Sequence, residues 1–430
     1  MSTALASGGR STAVLGALYF VQGMPYGFQT KALPIYLTDH HATMTQVSFA
    51  GALSLPWLLK PLWGPLVDRY GTRRRWIAGL QVPLALTQLG AALTMDAIPL
   101  AGLFGLLLLM NLLASTQDVA VDGLAVDLLE GASLGTGNAA QVVGFKVGML
   151  FAGGALVVLT PTWGWAGAFA VMAAATTLGL VALWPGWTAD GPSGERRADG
   201  IAPGFGAIGT AILATVRSRA GLALLVFIAT YKLGESMSDV MWKPFLQRSL
   251  KLGGTTVATW DSTWGMAFSI AGSLGGGLLA SRLGPLRAVT WCLTGRLLPA
   301  ILVALSGYLL VGTGTGPVWS GGESAGVTAW LIGVTCAEEL TGGALTTATF
   351  ALMMSTVDRQ IGATHFTALA AVEVAGKAPG GLLAGPLVDR AGFGATFVTA
   401  LGLATIAFAS LAHLRRVMVR SASAVHQVAT

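Results

Sequence analysis

Charge is what this sequence lacks most. Only 10% of its 430 residues are Asp, Glu, Lys or Arg, against about a quarter in a soluble domain. That shortage excludes water as the solvent for most of the folded exterior. Cysteine is almost missing as well. Cys292 and Cys336 both lie inside apolar runs, which excludes a disulfide framework and a cysteine-ligated metal site. The histidines are scattered, with only His40 and His41 adjacent, so no metal or cofactor is expected. No loop offers a nucleophile with its base or a phosphate-cradling glycine run, so the chain does not read as an enzyme.

What is present is apolar. Hydrophobic residues make up 53% of the chain and the mean hydropathy is +0.69. The 59 glycines and 17 prolines sit mostly within apolar runs, where membrane helices tolerate them. The stretch from Ser11 to Thr30 is too long for a signal-peptide core and reads as an uncleaved first membrane helix. A crossing needs about 20 mostly apolar residues. On that measure the spans are 12–36, 45–67, 76–95, 99–127, 138–160, 164–184, 221–247, 258–281, 287–311, 326–353, 364–388 and 393–413. The expectation is an all-α membrane protein of 12 transmembrane helices in two pseudo-symmetric six-helix halves. The halves are 1–186 and 221–415, with a cytoplasmic linker 187–220 and a tail 416–430.

A net charge of +6 does not point to nucleic acid, because the basic residues fall in short loops between apolar segments. With the N-terminus inside, fifteen fall on the cytoplasmic side. They run from Arg10, Arg69, Arg73, Arg74 and Arg75 through Arg196, Arg197, Arg217, Arg219, Arg282, Arg287 and Arg359 to Arg415, Arg416 and Arg420. Only Arg248, Lys251 and Arg390 fall outside. This asymmetry places both termini in the cytoplasm, and the Ala/Gly/Leu-rich composition points to a bacterial cytoplasmic membrane.

Repeats support the two halves. The second span closes on Gly64-Pro-Leu-Val-Asp68-Arg69-Tyr-Gly71-Thr-Arg73, and the eighth echoes it in Gly277-Leu-Leu-Ala-Ser281-Arg282-Leu-Gly284. Gly385-Pro-Leu-Val-Asp389-Arg390-Ala-Gly392 closes the eleventh. Parallel halves built from nested inverted repeats are a transporter architecture. Lys60, Gly64, Asp68, Arg69, Gly71 and Arg73 form a candidate gating motif, in which Asp68 caps the next helix or pairs with an arginine.

A charge at the bilayer centre is costly and marks function by default. Asp118 and Asp122 lie four apart, on one helix face. Lys232, Glu235 and Asp239 share a face of the seventh span, and Lys146, Arg296, Glu338, Glu339, Glu373 and Lys377 lie in others. Candidate substrate-binding or proton-coupling residues are therefore Asp118, Asp122, Lys146, Lys232, Glu235, Asp239, Glu338, Glu373 and Lys377. Local neutralisation is the plainer alternative for Glu373 with Lys377 and for Lys232 with Glu235. Lys60, near a helix end, can snorkel. The glycine pairs Gly144/Gly148, Gly376/Gly380 and Gly381/Gly385 permit close helix contact. Most tryptophans fall near interfaces, with Trp57 and Trp242 as candidates to line a cavity.

Three strings carry a family resemblance: Tyr19-Phe-Val-Gln22-Gly23-Met-Pro25-Tyr-Gly27, Leu59-Lys60-Pro-Leu-Trp63-Gly-Pro65-Leu-Val-Asp68 and Ser115-Thr116-Gln117-Asp118-Val-Ala-Val-Asp122-Gly123. They resemble the peptide/acetyl-coenzyme A transporter family of the major facilitator superfamily, which holds AmpG-like muropeptide permeases and acetyl-CoA transporters. The resemblance implies the major facilitator fold and a secondary active, alternating-access transporter. Its expected partners are the bilayer, a small anionic solute such as acetyl-CoA and a co-transported proton, with no obligate protein partner. A muropeptide or peptide permease is the alternative, and a non-transporting sensor on the same fold the second. Asp118 and Asp122 match the family's paired acids, and Lys146 an arginine of the muropeptide permeases. The chain is short for such a permease, which favours the first reading.

Overall fold

A computed structural model describes residues 2–33, 36–37, 53, 55–95, 97–131, 133–180, 204–252, 257, 260–311 and 325–428. His40, His41, Arg196, Arg197 and the beginnings of the second span lie outside these. Among the described residues every regular element is helical, as expected where the solvent offers backbone groups no hydrogen bonds.

The helices are α1 (Ser2–Gly27), α2 (Leu55–Leu59), α3 (Gly64–Arg69), α4 (Arg73–Thr94), α5 (Leu100–Leu128), α6 (Ser133–Leu150) and α7 (Leu156–Gly179). They continue with α8 (Phe205–Arg217), α9 (Arg219–Thr230), α10 (Leu233–Pro244), α11 (Met266–Leu283), α12 (Pro285–Val311), α13 (Ala325–Thr356) and α14 (Gly362–Val428). Among the described residues six helical runs are long and apolar enough to cross a membrane. Two of these, Ser133–Gly179 and Arg359–Arg420, have 47 and 62 residues, at least twice the length of one crossing. They break at Gly164 (φ 67°) and Gly392 (φ 81°), left-handed geometry that glycine adopts without a Cβ clash. Those breaks fall where the apolar runs part in the sequence.

The second span is less regular than its apolar length suggests. Leu55–Leu59 passes into a 3₁₀ turn, Lys60–Leu62, before α3 begins. Pro61 and Pro65 remove two N–H donors and crowd the preceding turn. Phe205–Arg217 is helical although it lies in the stretch read as a linker. Its exposed Phe205, Leu213 and Val216 alternate with small and polar residues that hid its apolar face.

The chain divides into two compact units, one of Met1–Gly209 with Met353–Ala368, the other of Thr210–Leu352 with Leu369–Thr430. The first is packed around Met24, Phe28, Leu107, Met110, Phe169 and Met172, and the second around Trp242, Phe245, Val303, Leu331 and Phe397. Trp242 therefore belongs to a core: it stacks on Phe245 and donates to Thr335 Oγ1 at 3.0 Å.

Glycines set the closest helix contacts. A methyl added at Gly144 or Gly148 would collide with the backbone of α1 at Gly16 and Phe20. One at Gly376 or Gly380 would meet Ala229 and Leu233 in the same way. The pair Gly381/Gly385 meets only side chains, at 3.3 Å or more, and forms no such seam. Lipid-facing positions such as Leu62, Leu93, Val158 and Leu382 remain open.

Candidate functional site

In the first unit the acids of α5 meet partners from three other helices. Lys60 donates to Asp118, and its ammonium lies 5.5 Å from the centre of the Trp57 ring. The broken backbone at Lys60 starts a 3₁₀ turn there, and the side chain retains 14% exposure. Lys60 thus turns inward to Asp118 instead of snorkelling. Asp122 accepts from the Tyr19 hydroxyl at 2.6 Å and from Gln141 Nε2 at 3.4 Å. The like charges four residues apart are therefore each given a separate partner.

Beside them Tyr26, Trp57 and Phe145 form an aromatic trio from α1, α2 and α6, with ring centres 5.6 to 6.0 Å apart. Trp57 Nε1 donates to Asn111 Oδ1 at 2.9 Å, which fixes the indole. Trp57 is thus part of a polar and aromatic cluster. Lys146 lies next to Phe145 and is half-buried. Tyr19, Asn111 and Gln141 were not singled out in the sequence. Tyr19 sits in one of the family-like strings, and a phenol in an apolar helix is the signal that could have found it.

The second unit carries a denser group. Arg296 on α12 reaches Glu338 Oε2 at 2.5 Å, Glu235 Oε2 at 3.6 Å and Asp239 Oδ1 at 3.9 Å. It also donates to the Glu338 carbonyl and to Thr341 Oγ1, the latter at 3.1 Å. Lys232 pairs with Glu373 at 3.1 Å, and Lys377 meets the other oxygen of the same carboxylate at 3.6 Å. Tyr231 donates to Glu373 at 3.4 Å. The i, i+4 pairing of Glu373 with Lys377 is present, but Lys232 turns to Glu373 rather than to Glu235, which faces Arg296. Helix crossing, which spacing along one helix does not report, decides this.

The residues of the candidate gating motif lie in the first unit. Asp68, fully buried, accepts from Arg73, from the backbone N–H groups of Ala363 (3.3 Å) and Thr364 (2.7 Å), and from Thr364 Oγ1 (2.5 Å). A carboxylate there satisfies the open N–H groups at the start of α14 and meets the positive end of its dipole. Asp68 thus both pairs with an arginine and caps a helix, but that helix lies almost 300 residues later rather than next in sequence. Arg73, also fully buried, donates to the Val67 carbonyl at 3.0 Å and lies 3.6 Å from Asp127. Gly64 is needed for closeness, since a Cβ there would stand 3.0 Å from Thr364 Cα. Gly71 turns the chain at φ 65°. Arg69 lies over Tyr70 at 6.0 Å. Arg359 reaches Glu130 and the Leu129 carbonyl, the latter at 2.9 Å.

Comparison with known proteins gives the family of the chain. Residues 15–357 match the Major Facilitator Superfamily. The anhydromuropeptide permease of Escherichia coli K12 is 27% identical over 405 residues, covering 91% of this chain and 77% of the permease. Among solved structures, the human organic anion transporter MFSD10 (TETRAN) gives a TM-score of 0.70 at 18% identity, covering 94% of this chain and 99% of that one. A bacterial homologue of the iron transporter ferroportin, outward-facing with soaked iron, gives 0.67 at 15% identity with the same coverage, 94% and 99%. At such identities the two structures share the fold.

Proposed function

The chain belongs to the Major Facilitator Superfamily and is a multi-pass membrane transporter of the secondary type; from that premise we propose that it moves a muropeptide- or peptide-like solute, coupled to protons, by alternating access. The observation that carries the choice of solute is the state of the membrane cations. Lys60 is held by Asp118, Lys232 and Lys377 by Glu373, and Arg296 by Glu338. A multiply anionic solute such as acetyl-CoA needs cations in excess, and the ion-pair cluster of the second unit instead holds four carboxylates, Glu235, Asp239, Glu338 and Glu373, against the three cations Lys232, Arg296 and Lys377. This shifts the balance from the multiply charged metabolite expected from the sequence toward a solute of lower net charge, such as a muropeptide or a short peptide.

The aromatic trio of Tyr26, Trp57 and Phe145 supplies apolar faces beside polar groups, the usual make-up of a small-molecule site. The permease name carried by the Escherichia coli relative supports the same solute class. The membrane is the bacterial cytoplasmic one, with both termini inside, supported by the fifteen-to-three split of basic residues. The Asp68 network then lies at the cytoplasmic end, where it would open and close with each cycle.

Thermal unfolding of the purified full chain with anhydromuropeptides, short peptides and acetyl-CoA tests the solute. A ligand at a hundred times its Kd stabilises by about 2.7 kcal/mol. Stabilisation by an anhydromuropeptide, reduced in Trp57→Ala, supports the reading. Stabilisation by acetyl-CoA alone overturns it and restores the anionic metabolite.

A further inference from the structure

The arginines of the two units are used differently. In the first unit Arg73 is bonded to Asp68 and Arg359 to Glu130. In the second unit Arg415, Arg416 and Arg420 of α14 are exposed, and none of them forms an ion pair among the described residues. No Asp or Glu occurs in the sequence from Arg390 to Thr430 to balance them. The three share one helix face with Ala412 and Val419, at spacings of three and four residues. An open groove of about 470 Å³ is lined by these five side chains.

That face looks away from the protein. Ser410 bonds Thr230 of α9 at 3.0 Å, and Ala407, Leu411 and Leu414, on the same side as Ser410, are buried. The opposite side is exposed from Gly402 through Ile406, Ala409 and Ala412 to Arg416 and Arg420. It is apolar or small first and basic afterwards. Ile406 and Arg416 are ten residues apart, about 15 Å along an α-helix, which is half of a hydrocarbon core about 30 Å thick. The face thus passes from apolar to cationic over the depth of one leaflet. Antiparallel packing of α9, set by Thr230 against Ser410 and Gly234 against Ala400 and Ala404, brings the exposed Arg219 to the same end as Arg420.

We propose that this outward face of α14 seats an anionic phospholipid of the surrounding bilayer, with Arg415, Arg416 and Arg420 donating to its phosphate and an acyl chain lying along Ile406, Ala409 and Ala412. Guanidinium forks match phosphate oxygens, and each arginine at an anionic membrane surface adds to the attraction. A zwitterionic headgroup carries an ammonium beside its phosphate, which the same arginines repel, so the face selects a lipid of net negative charge. A soluble phosphate has the charge but no chain to cover the small-residue stripe. The inference is independent of the solute and of the coupling proposed above.

Native mass spectrometry of the full chain, released from micelles holding equal amounts of phosphatidylglycerol and phosphatidylcholine, tests it. Wild type should retain phosphatidylglycerol over phosphatidylcholine by at least about fivefold. Arg415→Gln, Arg416→Gln and Arg420→Gln combined should abolish that preference. Ala412→Phe, which keeps every charge but fills the groove, should lower it. Arg282→Gln with Arg287→Gln removes two exposed arginines elsewhere in the second unit and should leave it intact. If the triple variant does not fold, photoreactive phosphatidylglycerol in phosphatidylcholine vesicles, which should label residues 402–420 of wild type, decides the matter. The proposal is overturned by a wild type without preference, by an Ala412→Phe variant that binds as wild type does, or by label falling outside that segment. It is equally overturned if the variant at Arg282 and Arg287 loses as much as the triple variant, or if inorganic phosphate alone displaces the lipid. No solute enters these measurements, so their failure and that of the solute assignment are separate outcomes.

Discussion

At the scale of single residues, the ion pair of Lys60 with Asp118 is the contact whose removal is easiest to interpret. Both side chains are largely shielded, at 14% and 7% exposure. Removing one partner strands the other, which costs about 3–5 kcal/mol where burial is complete, and the remaining exposure of Lys60 favours the low end. Asp118→Asn should therefore unfold at a clearly lower temperature and lose transport. Lys60→Gln combined with Asp118→Asn removes both charges and should regain most of the stability without regaining flux, a non-additivity that thermal unfolding and flux measured together will show. Tyr19→Phe makes a narrower test. It deletes only the hydroxyl that donates to Asp122 at 2.6 Å, a bond to a charged group worth about 1.5–3 kcal/mol. Its loss should appear in stability even if Gln141 still holds the acid in place.

At the scale of helices, the seams made by glycine give the clearest contrast. Gly148 lies against the α1 backbone, whereas Gly79 on α4 is exposed with nothing within 4 Å of an added methyl. Gly148→Ala forces the helices apart and should cost about 1–3 kcal/mol as overpacking does. Gly79→Ala should be neutral or stabilising by up to about 1 kcal/mol, because alanine is the better helix former. Paired unfolding curves of the two variants check this. The helices themselves were legible in the sequence because membrane solvent demands long apolar runs, and Gly164 and Gly392 mark breaks at run boundaries. The acids and bases were legible as a set, since charges in such runs stand out. Their pairing was not. Lys232 is three residues from Glu235 yet bonds Glu373, and Lys60 looked like a helix-end lysine yet bonds Asp118, because partners depend on how helices cross and on the break at Pro61.

At the scale of the whole chain, the same string has two fates. Asp68 and Asp389 both end a Gly-Pro-Leu-Val-Asp-Arg run, but Asp68 is fully buried and Asp389 is exposed. Identical local sequence therefore does not imply an identical role; what differs is the presence of Arg73 and the N-terminus of α14 beside Asp68. Through that contact a segment from late in the chain is fastened into the first compact unit. Asp389→Ala should change stability by no more than about 0.5 kcal/mol, as surface substitutions do. Asp68→Ala takes from the buried Arg73 its nearer carboxylate, leaving Asp127 at 3.6 Å, and uncaps α14, and should cost about 3 kcal/mol. Thr364→Val, which deletes one of the bonds to Asp68 but leaves the backbone donor, should cost about 0.5–1.5 kcal/mol. If the contact is a gate, its loss must also raise the rate of opening. Ala363 is buried against it, so in a Cys292→Ser, Cys336→Ser background Ala363→Cys reports opening by thiol labelling. Adding Asp68→Ala should speed labelling by at least about tenfold, the ratio given by a 1.4 kcal/mol shift in an opening equilibrium. Labelling that stays slow, with stability nonetheless reduced, would make Asp68 a purely structural cap and move the gate elsewhere in the molecule.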